Sequence, residues 1–266
     1  MEIKMHQFFV EDAQISGTVI TITGSDVNHI RNVLRMKRGE EVRISAQSSK
    51  SYLCRILEIG EQFVQTEIVE EDVEGTELGA RLYLFQGLPK ADKMELIIQK
   101  AVELGAYAVI PVSMRNCVVK LDEKKAKSKR ERWQQIAVSA AKQSKRSIVP
   151  EIYAPMSYRD AVAFAGQMDV NLVPYENAHG MTATQKALNE IRPGASVGIF
   201  IGPEGGFDPE EIEIAREKGM KPISLGRRIL RTETAGFTAL AILMYYLETE
   251  QEKNSAYGGN YGSISG

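Results

Sequence analysis

Cysteine, histidine and tryptophan are all scarce in this chain of 266 residues, which has two, three and one of them respectively. Cys54 and Cys117 have neither the number nor the spacing of a disulfide framework or a zinc site. His6, His29 and His179 are scattered, so no metal is expected. No apolar stretch is long enough to span a bilayer. The first dozen residues lack the charged-then-apolar pattern of a secretory leader, so a cytoplasmic location is expected. A strong charge bias is missing too: 33 Lys and Arg stand against 35 Asp and Glu, a net charge of −2. Any anionic partner must therefore be steered by local field. Neither common phosphate-binding template, G-x-x-x-x-G-K-[ST] or G-x-G-x-x-G, occurs. The missing second template disfavours a Rossmann-type dehydrogenase.

What is present reads as an ordinary globular chain, 43% apolar and 26% charged. Residues 1–72 form the first segment. Four runs in it are rich in β-formers and bounded by turn residues: 18–23, 41–46, 51–57 and 62–69. One helix interrupts them, with Ser25 or Asp26 as cap and Val27, Ile30 and Leu34 on one face. A small β-barrel with a basic helix is expected. The acidic run from Glu70 reads as a linker. From Arg81 onward, strands at 82–85, 107–112, 170–173, 197–201 and near Ile223 alternate with helices, which implies a mainly parallel sheet covered on its faces. The last helix, expected over 234–248, is apolar on more than one side and suits both the sheet and a second subunit. The glycine- and serine-rich end, within 251–266, is expected to be disordered.

The rest of the chain is organised around residues 197–235. An apolar strand ends at Gly202 and runs into Pro203-Glu-Gly-Gly-Phe207, a turn whose glycines let main chain approach a ligand closely. A helix follows, with Asp208 as N-cap, Pro209 at its first position and Glu211 placed to complete a capping box. Glycine turns opening helices commonly bind phosphate. Here Glu204, Asp208, Glu210 and Glu211 would repel one, so a neutral or cationic ligand fits better. A second loop, 225–230, could wall the other side of a flat heterocycle.

Two stretches concentrate positive charge. The first-segment helix and its exit carry His29, Arg31, Arg35, Lys37 and Arg38. Residues 120–146 hold ten Lys and Arg against three acids. Either could be a solvated face. Together they make a plausible footprint for an anionic polymer such as nucleic acid.

These motifs resemble a known family. Gly202-Pro-Glu-Gly-Gly-Phe207 with Leu225-Gly-Arg-Arg-Ile-Leu-Arg-Thr-Glu-Thr-Ala235 is similar to the ligand-binding signature of the RsmE-type 16S ribosomal RNA uridine-N3 methyltransferases, in the SPOUT class. His29-Ile-Arg-Asn-Val-Leu-Arg-Met36 resembles that family's first-domain helix. Lys90-Ala-Asp-Lys-Met94 with Lys100-Ala-Val-Glu-Leu-Gly105 resembles its first methyltransferase helix. Arg115, Trp133, Gln143-Ser144 and Arg146 follow in the family's order, while Gln7 stands where the family commonly has a basic residue. The resemblance covers roughly residues 4 to 248.

The resemblance implies a PUA-like RNA-binding barrel over 1–72. Over 73–250 it implies an α/β SPOUT domain with a parallel sheet and a C-terminal trefoil knot that binds S-adenosylmethionine. It further implies a homodimer, and a substrate uridine near the 3′ end of 16S rRNA in the decoding region of the small ribosomal subunit. The donor would be held by Ile201, Gly202, Pro203, Gly205 and Gly206 from one loop and by Leu225, Gly226, Ile229, Leu230 and Thr234 from the other. Val173, Pro174 and Tyr175 would form a third wall. Lys90, Arg115 and Arg146 would join the basic helix in contacting RNA. Arg231 is the candidate for gripping the target nucleotide or balancing developing charge. Glu204 and Glu233 are candidate proton acceptors, although Glu233 equally suits a helix N-terminus. A non-catalytic RNA-binding assembly factor and a SPOUT ribose 2′-O-methyltransferase are the alternatives.

Overall fold

The computed structural model of the chain describes residues 5–46, 50–72, 76–175 and 180–258. Its contacts separate into two compact units, residues 1–77 with 141–148 and residues 78–140 with 149–266.

The first unit is a curled six-stranded sheet. Its strands are β1 (His6–Val10), β2 (Ile15–Ser16), β3 (Val19–Thr23), β4 (Glu41–Ala46), β5 (Ser51–Ile59) and β6 (Phe63–Asp72). They lie in the order β1-β4-β5-β6-β3-β2, with β1 parallel to β4 and the other pairs antiparallel. The hydrogen-bonded path has β1 and β2 at its ends. Phe8, Val10, Ile20, Ile22, Val42, Ile44, Ile56 and Val64 form its core, closed by Val27 and Ile30.

Three details depart from the sequence reading. β1 was not expected from its five residues and is defined by pairing with β4. The helix α1 (Ser25–Asn28) is entered through Gly24 at φ 77° with no side-chain cap, so neither Ser25 nor Asp26 plays that part. It continues as a π-helical stretch, His29–Val33. The acidic residues Glu70 and Glu71 are not linker but β6, opposite Leu53 and Tyr52, and Lys50 pairs with Glu71 at 2.9 Å.

Residues 141–148 belong to this unit through a buried polar seam. Gln7 Nε2 donates to Ser45 Oγ (2.9 Å) and to the Arg146 carbonyl (2.5 Å), and the Ser51 hydroxyl donates to Ser147 Oγ (2.9 Å).

In the second unit the elements are β7 (Arg81–Gly87), α2 (Lys93–Glu103), β8 (Ala106–Ser113), α3 (Glu123–Gln143), β9 (Glu151–Ile152), β10 (Met156–Ser157) and α4 (Tyr158–Ala165). Then come β11 (Val170–Pro174), α5 (Met181–Leu188), β12 (Ser196–Ile201), α6 (Pro209–Glu217), β13 (Lys221–Ile223) and α7 (Thr232–Gly258). All pairings are parallel, in the order β10-β8-β7-β12-β11-β13, with β9 also on β8. Every residue of β12 is buried, as its unbroken apolar run requires of a central strand covered on both faces. On adjacent strands Phe85 stacks on Phe200 with centroids 4.2 Å apart, and Tyr158 meets Phe200 edge-on. α2 buries Met94, Ile97, Ile98, Ala101 and Val102 at the expected spacing.

α7 runs ten residues past the expected end at 248, through residues assigned to a disordered tail. Glu250 and Lys253 pair within its extension, at 2.7 Å. From 259 on, the expectation of disorder falls outside the described residues.

Candidate active site

The sheet order sets the site. The chain passes from β7 to β8 on one side, and later places β12 and β11 on the other. The order thus reverses between β7 and β12, and ligands of open parallel sheets bind at the carboxyl ends of the strands at such a point. Gly87 closes β7 there, Ile201 and Gly202 close β12, and Pro174 closes β11. Gly87 has no room for a side chain, and Gly202 and Gly205 in the turn after β12 have little. A Cβ on Gly87 would lie 2.7 Å from the Pro203 nitrogen, and one on Gly205 3.0 Å from Asn116 Cβ. Gly206 has φ +68°, and its N–H donates to the Pro203 carbonyl at 2.9 Å, closing the turn. Asn116 Nδ2 lies 3.2 Å from the carbonyl oxygens of both Gly205 and Gly206.

The helix after the turn starts as expected. Asp208 caps it, Pro209 stands in its first turn, and Asp208 and Glu211 form the reciprocal capping box. Glu211 also accepts from the Arg115 N–H (2.9 Å), and Tyr158 donates its hydroxyl to the Glu211 carbonyl (2.7 Å). Arg115 reaches Asp208 at 3.0 Å and Glu210 at 2.8 Å. The N–H of Glu210, followed by the Arg115 guanidinium, holds the Asp208 carboxyl below its usual range.

After the edge strand β13 the chain returns across the ends of β11 and β12. Thr184 and Ser224 exchange hydrogen bonds, and Gly226 takes φ +116°. The Thr232 hydroxyl then donates to the Gly202 carbonyl (2.6 Å) and accepts from Nε2 of the fully buried Gln86 (2.9 Å). Beside it Lys93 lies 3.2 Å from Glu204 and 3.3 Å from Glu233, and the Lys90 N–H donates to both Glu204 oxygens at 3.1 and 3.3 Å. Burial works to raise the Glu204 carboxyl, but the N–H groups of Glu204 and Lys90 and the Lys93 ammonium outweigh it and hold the carboxyl below the ordinary range. The hydrogen bond to Glu204 raises Lys93 in turn.

Of the expected donor residues, Val173 and Pro174 stand at the end of β11, and Ile201 and Gly202 at the end of its neighbour β12. Ile201 and Val173 are buried, while Gly202, Pro174, Tyr175, Leu225 and Leu230 are partly exposed. Thr234 is exposed, and Ile229 is 86% exposed. Val173 and Tyr175 also line a shallow depression with Ile212, Ala215 and Met220. Of the catalytic candidates, Arg231 is exposed, and Glu204 and Glu233 both meet Lys93. His29, Arg31, Arg35, Lys37, Arg38 and Lys90 are exposed, as RNA contacts must be. Arg146 is corrected: it is 3% exposed, and its guanidinium is clasped by Glu77, whose Oε1 also accepts from the Ser147 N–H. Within the basic run, Lys125, Arg130, Arg132 and Lys142 also pair with carboxylates, which trims the charge left for a partner.

Lys93, Asn116, Gln86 and Thr232 had no assigned role. Gln86 had a signal, being an amide directly after the apolar run 82–85, which needs a partner where it is buried. Lys93 and Asn116 had none, since their partners lie far along the chain. Both cysteines are buried; burial pushes Cys54 up to about 11 and raises Cys117, so neither is a nucleophile at neutral pH. Among the described residues no cluster could hold a metal ion, and no helix is long and apolar enough to cross a membrane.

A parallel sheet with a glycine turn at its reversal point, joined in one chain to a curled, mostly antiparallel sheet, is the build of an RNA methyltransferase with a PUA domain. The family model of the RNA methyltransferase domain matches residues 76–244, and that of the RNA methyltransferase PUA domain matches residues 22–69. The ribosomal RNA small subunit methyltransferase E of Bacillus subtilis is 38% identical over 250 residues, covering 92% of this chain and 98% of that protein. The enzyme of the same name from Neisseria gonorrhoeae, crystallised with S-adenosylmethionine, superposes with a TM-score of 0.77 at 30% identity, over 91% of this chain and 97% of that one. A crystallised hypothetical protein superposes at 0.86 with 38% identity, over 92% and 99%. The chain belongs to the ribosomal RNA small subunit methyltransferase E family.

Proposed function

We propose that this protein methylates N3 of one uridine near the 3′ end of 16S rRNA, in the decoding region of the small subunit, using S-adenosylmethionine. The observation that carries the reading is the turn at 202–206. It is packed against Gly87 with no room there for a side chain, carries Glu204 with Asp208 and Glu210 close behind in the chain, and is tied through Thr232 to α7. This chemistry fits a donor that bears a sulfonium and an adenine but no phosphate. When bound, S-adenosylmethionine supplies an electrophilic methyl: its S–C bond breaks as the N3–C bond forms, leaving S-adenosylhomocysteine.

The residues must then manage one proton and one developing charge. Uracil N3 carries a proton at neutral pH, and its removal by a positioned base contributes about 10²–10⁴-fold. The groups that lower the Glu204 pKa weaken its hold on a proton. Glu233 stands in the same network. Arg231, exposed just before α7, would grip the uracil and stabilise its anion, an effect of about 10²–10³-fold.

The same reading includes a trefoil knot in the C-terminal part of the second unit, a homodimer, and a cytoplasmic location with the ribosome. The return of the chain from β13 to Gly202 and Gln86 supports the knot. The dimer is supported by α7, which buries Leu240, Leu243 and Leu247 yet leaves Tyr245 72% exposed. The exposed cations of residues 29–38 and of α3 would contact phosphates.

The test incubates labelled S-adenosylmethionine with small subunits lacking the modification and maps the methylated atom by mass spectrometry. Arg231→Ala is expected to abolish methylation while donor affinity stays within about twofold. Unchanged turnover in that variant refutes the role of Arg231. A methyl on ribose moves the protein to the 2′-O class, and absence of donor binding makes it an assembly factor.

A further inference from the structure

The geometry points to Lys93 as the positioning residue of the donor site: its ammonium fastens the turn carrying Glu204 to the first turn of α7, carrying Glu233. The inference rests on the proposed use of S-adenosylmethionine. The two carboxylates come from opposite walls. Glu204 lies within the glycine turn after β12, and Glu233 begins the helix that follows the second loop. Lys93, from the first turn of α2, reaches 3.2 Å from one and 3.3 Å from the other. The three side chains are 31%, 27% and 16% exposed, so solvent screens the pairings only in part.

A single cation between two anions does more than attract each. It removes the repulsion that Glu204 and Glu233 would otherwise exert across the mouth of the site. The second tie between the same walls, the Thr232 hydroxyl on the Gly202 carbonyl, is uncharged and lies one residue away on α7. The hydroxyl sets the distance of approach, and Lys93 sets the charge balance. Asp92 precedes Lys93, Lys90 gives Glu204 its N–H, Arg231 precedes α7, and Glu211 and Cys117 lie within electrostatic reach of one another, with Cys117 also sensing Glu204. Of these groups, Lys93 alone has contacts with both carboxylates.

Lys93→Met keeps the aliphatic stem and deletes the charge. In this variant the dissociation constant for S-adenosylmethionine, read by calorimetry on the full-length protein, is expected to rise about tenfold at pH 8. Lys93→Arg should recover most of the affinity.

The distinguishing readout is pH. The wild-type affinity should be level from pH 8 to pH 5.5. That of Lys93→Met should improve on acidification, as one member of the unbridged carboxylate pair takes up a proton. Adding Glu204→Gln and Glu233→Gln to Lys93→Met should remove that pH dependence. A melting temperature measured alongside separates loss of fold from loss of charge. If Lys93→Met binds the donor as the wild type does, or with a loss that stays constant from pH 8 to 5.5, the inference is overturned and the functional reading stands. If the wild type itself does not bind the donor, both fall.

Discussion

Gly87→Ala puts one methyl group where the strand end and the donor turn meet. The added Cβ would stand 2.7 Å from the Pro203 nitrogen, 2.8 Å from its Cδ and 3.1 Å from the Gly202 carbonyl carbon. Ordinary contact begins at 3.4 Å, so the nearest atom must retreat by about 0.7 Å. These are main-chain and ring atoms, and no side chain can swing aside. Gly202 cannot yield freely either, because Thr232 holds its carbonyl at 2.6 Å and a Cβ of its own would already crowd Gly206. Overpacking of this kind costs about 1–3 kcal/mol. In a unit of this size that lowers the melting temperature by roughly 3–10 °C. The same displacement moves the donor relative to the uracil, and misplacement near 1 Å costs about 10²-fold in rate. The assay pairs thermal unfolding with methylation of unmodified small subunits, and Gly206→Ala is the control. Gly206 has open space around it and only its φ of +68° to strain, so its variant should lose stability but less activity. A Gly87→Ala protein that melts and turns over like the wild type refutes the reading of a turn packed against β7.

Two further outcomes follow from hydrogen bonds. Thr232→Val strips the Gly202 carbonyl of its donor and buried Gln86 of an acceptor. It should cost about 1–3 kcal/mol in urea unfolding and weaken donor binding, whereas Thr232→Ser should behave as wild type; a Thr232→Val protein as stable as the wild type would deny the hydroxyl this role. Asp169 accepts the Ser196 N–H at 2.8 Å and its hydroxyl at 2.7 Å, and the N–H first and then the hydroxyl depress its carboxyl. The folded carboxyl binds protons less readily than the unfolded one, so its stabilisation is complete above about pH 4 and fades as pH falls through the depressed value. Asp169→Asn should therefore flatten the dependence of the urea midpoint on pH between about 5 and 2, and curves that stay parallel would dismiss the contribution.

Much of this molecule was legible along the chain because its causes are local. The buried run 197–201, the stripe at Met94, Ile97, Ile98, Ala101 and Val102, and the cap at Asp208 with Pro209 and Glu211 all rest on contacts within a few residues. The motif at 202–207 likewise marked the glycine turn that follows β12. Departures came where a partner was distant or a backbone form unusual. β1 exists because β4 lies beside it, Gly24 displaced the expected caps, and Arg146 found Glu77 rather than solvent.

By itself the sequence determined most of the helices, the longer strands and the glycine turn after β12, because periodicity and backbone freedom belong to short segments. Only the tertiary structure decided which charges are spent inside the protein and which face outward. It set Lys93 between two carboxylates separated by 29 residues of chain, Glu204 and Glu233, and joined Gln86 to Thr232 across 146 positions. Such pairings depend on the strand order that brings β7 beside β12, and no local spacing encodes that order.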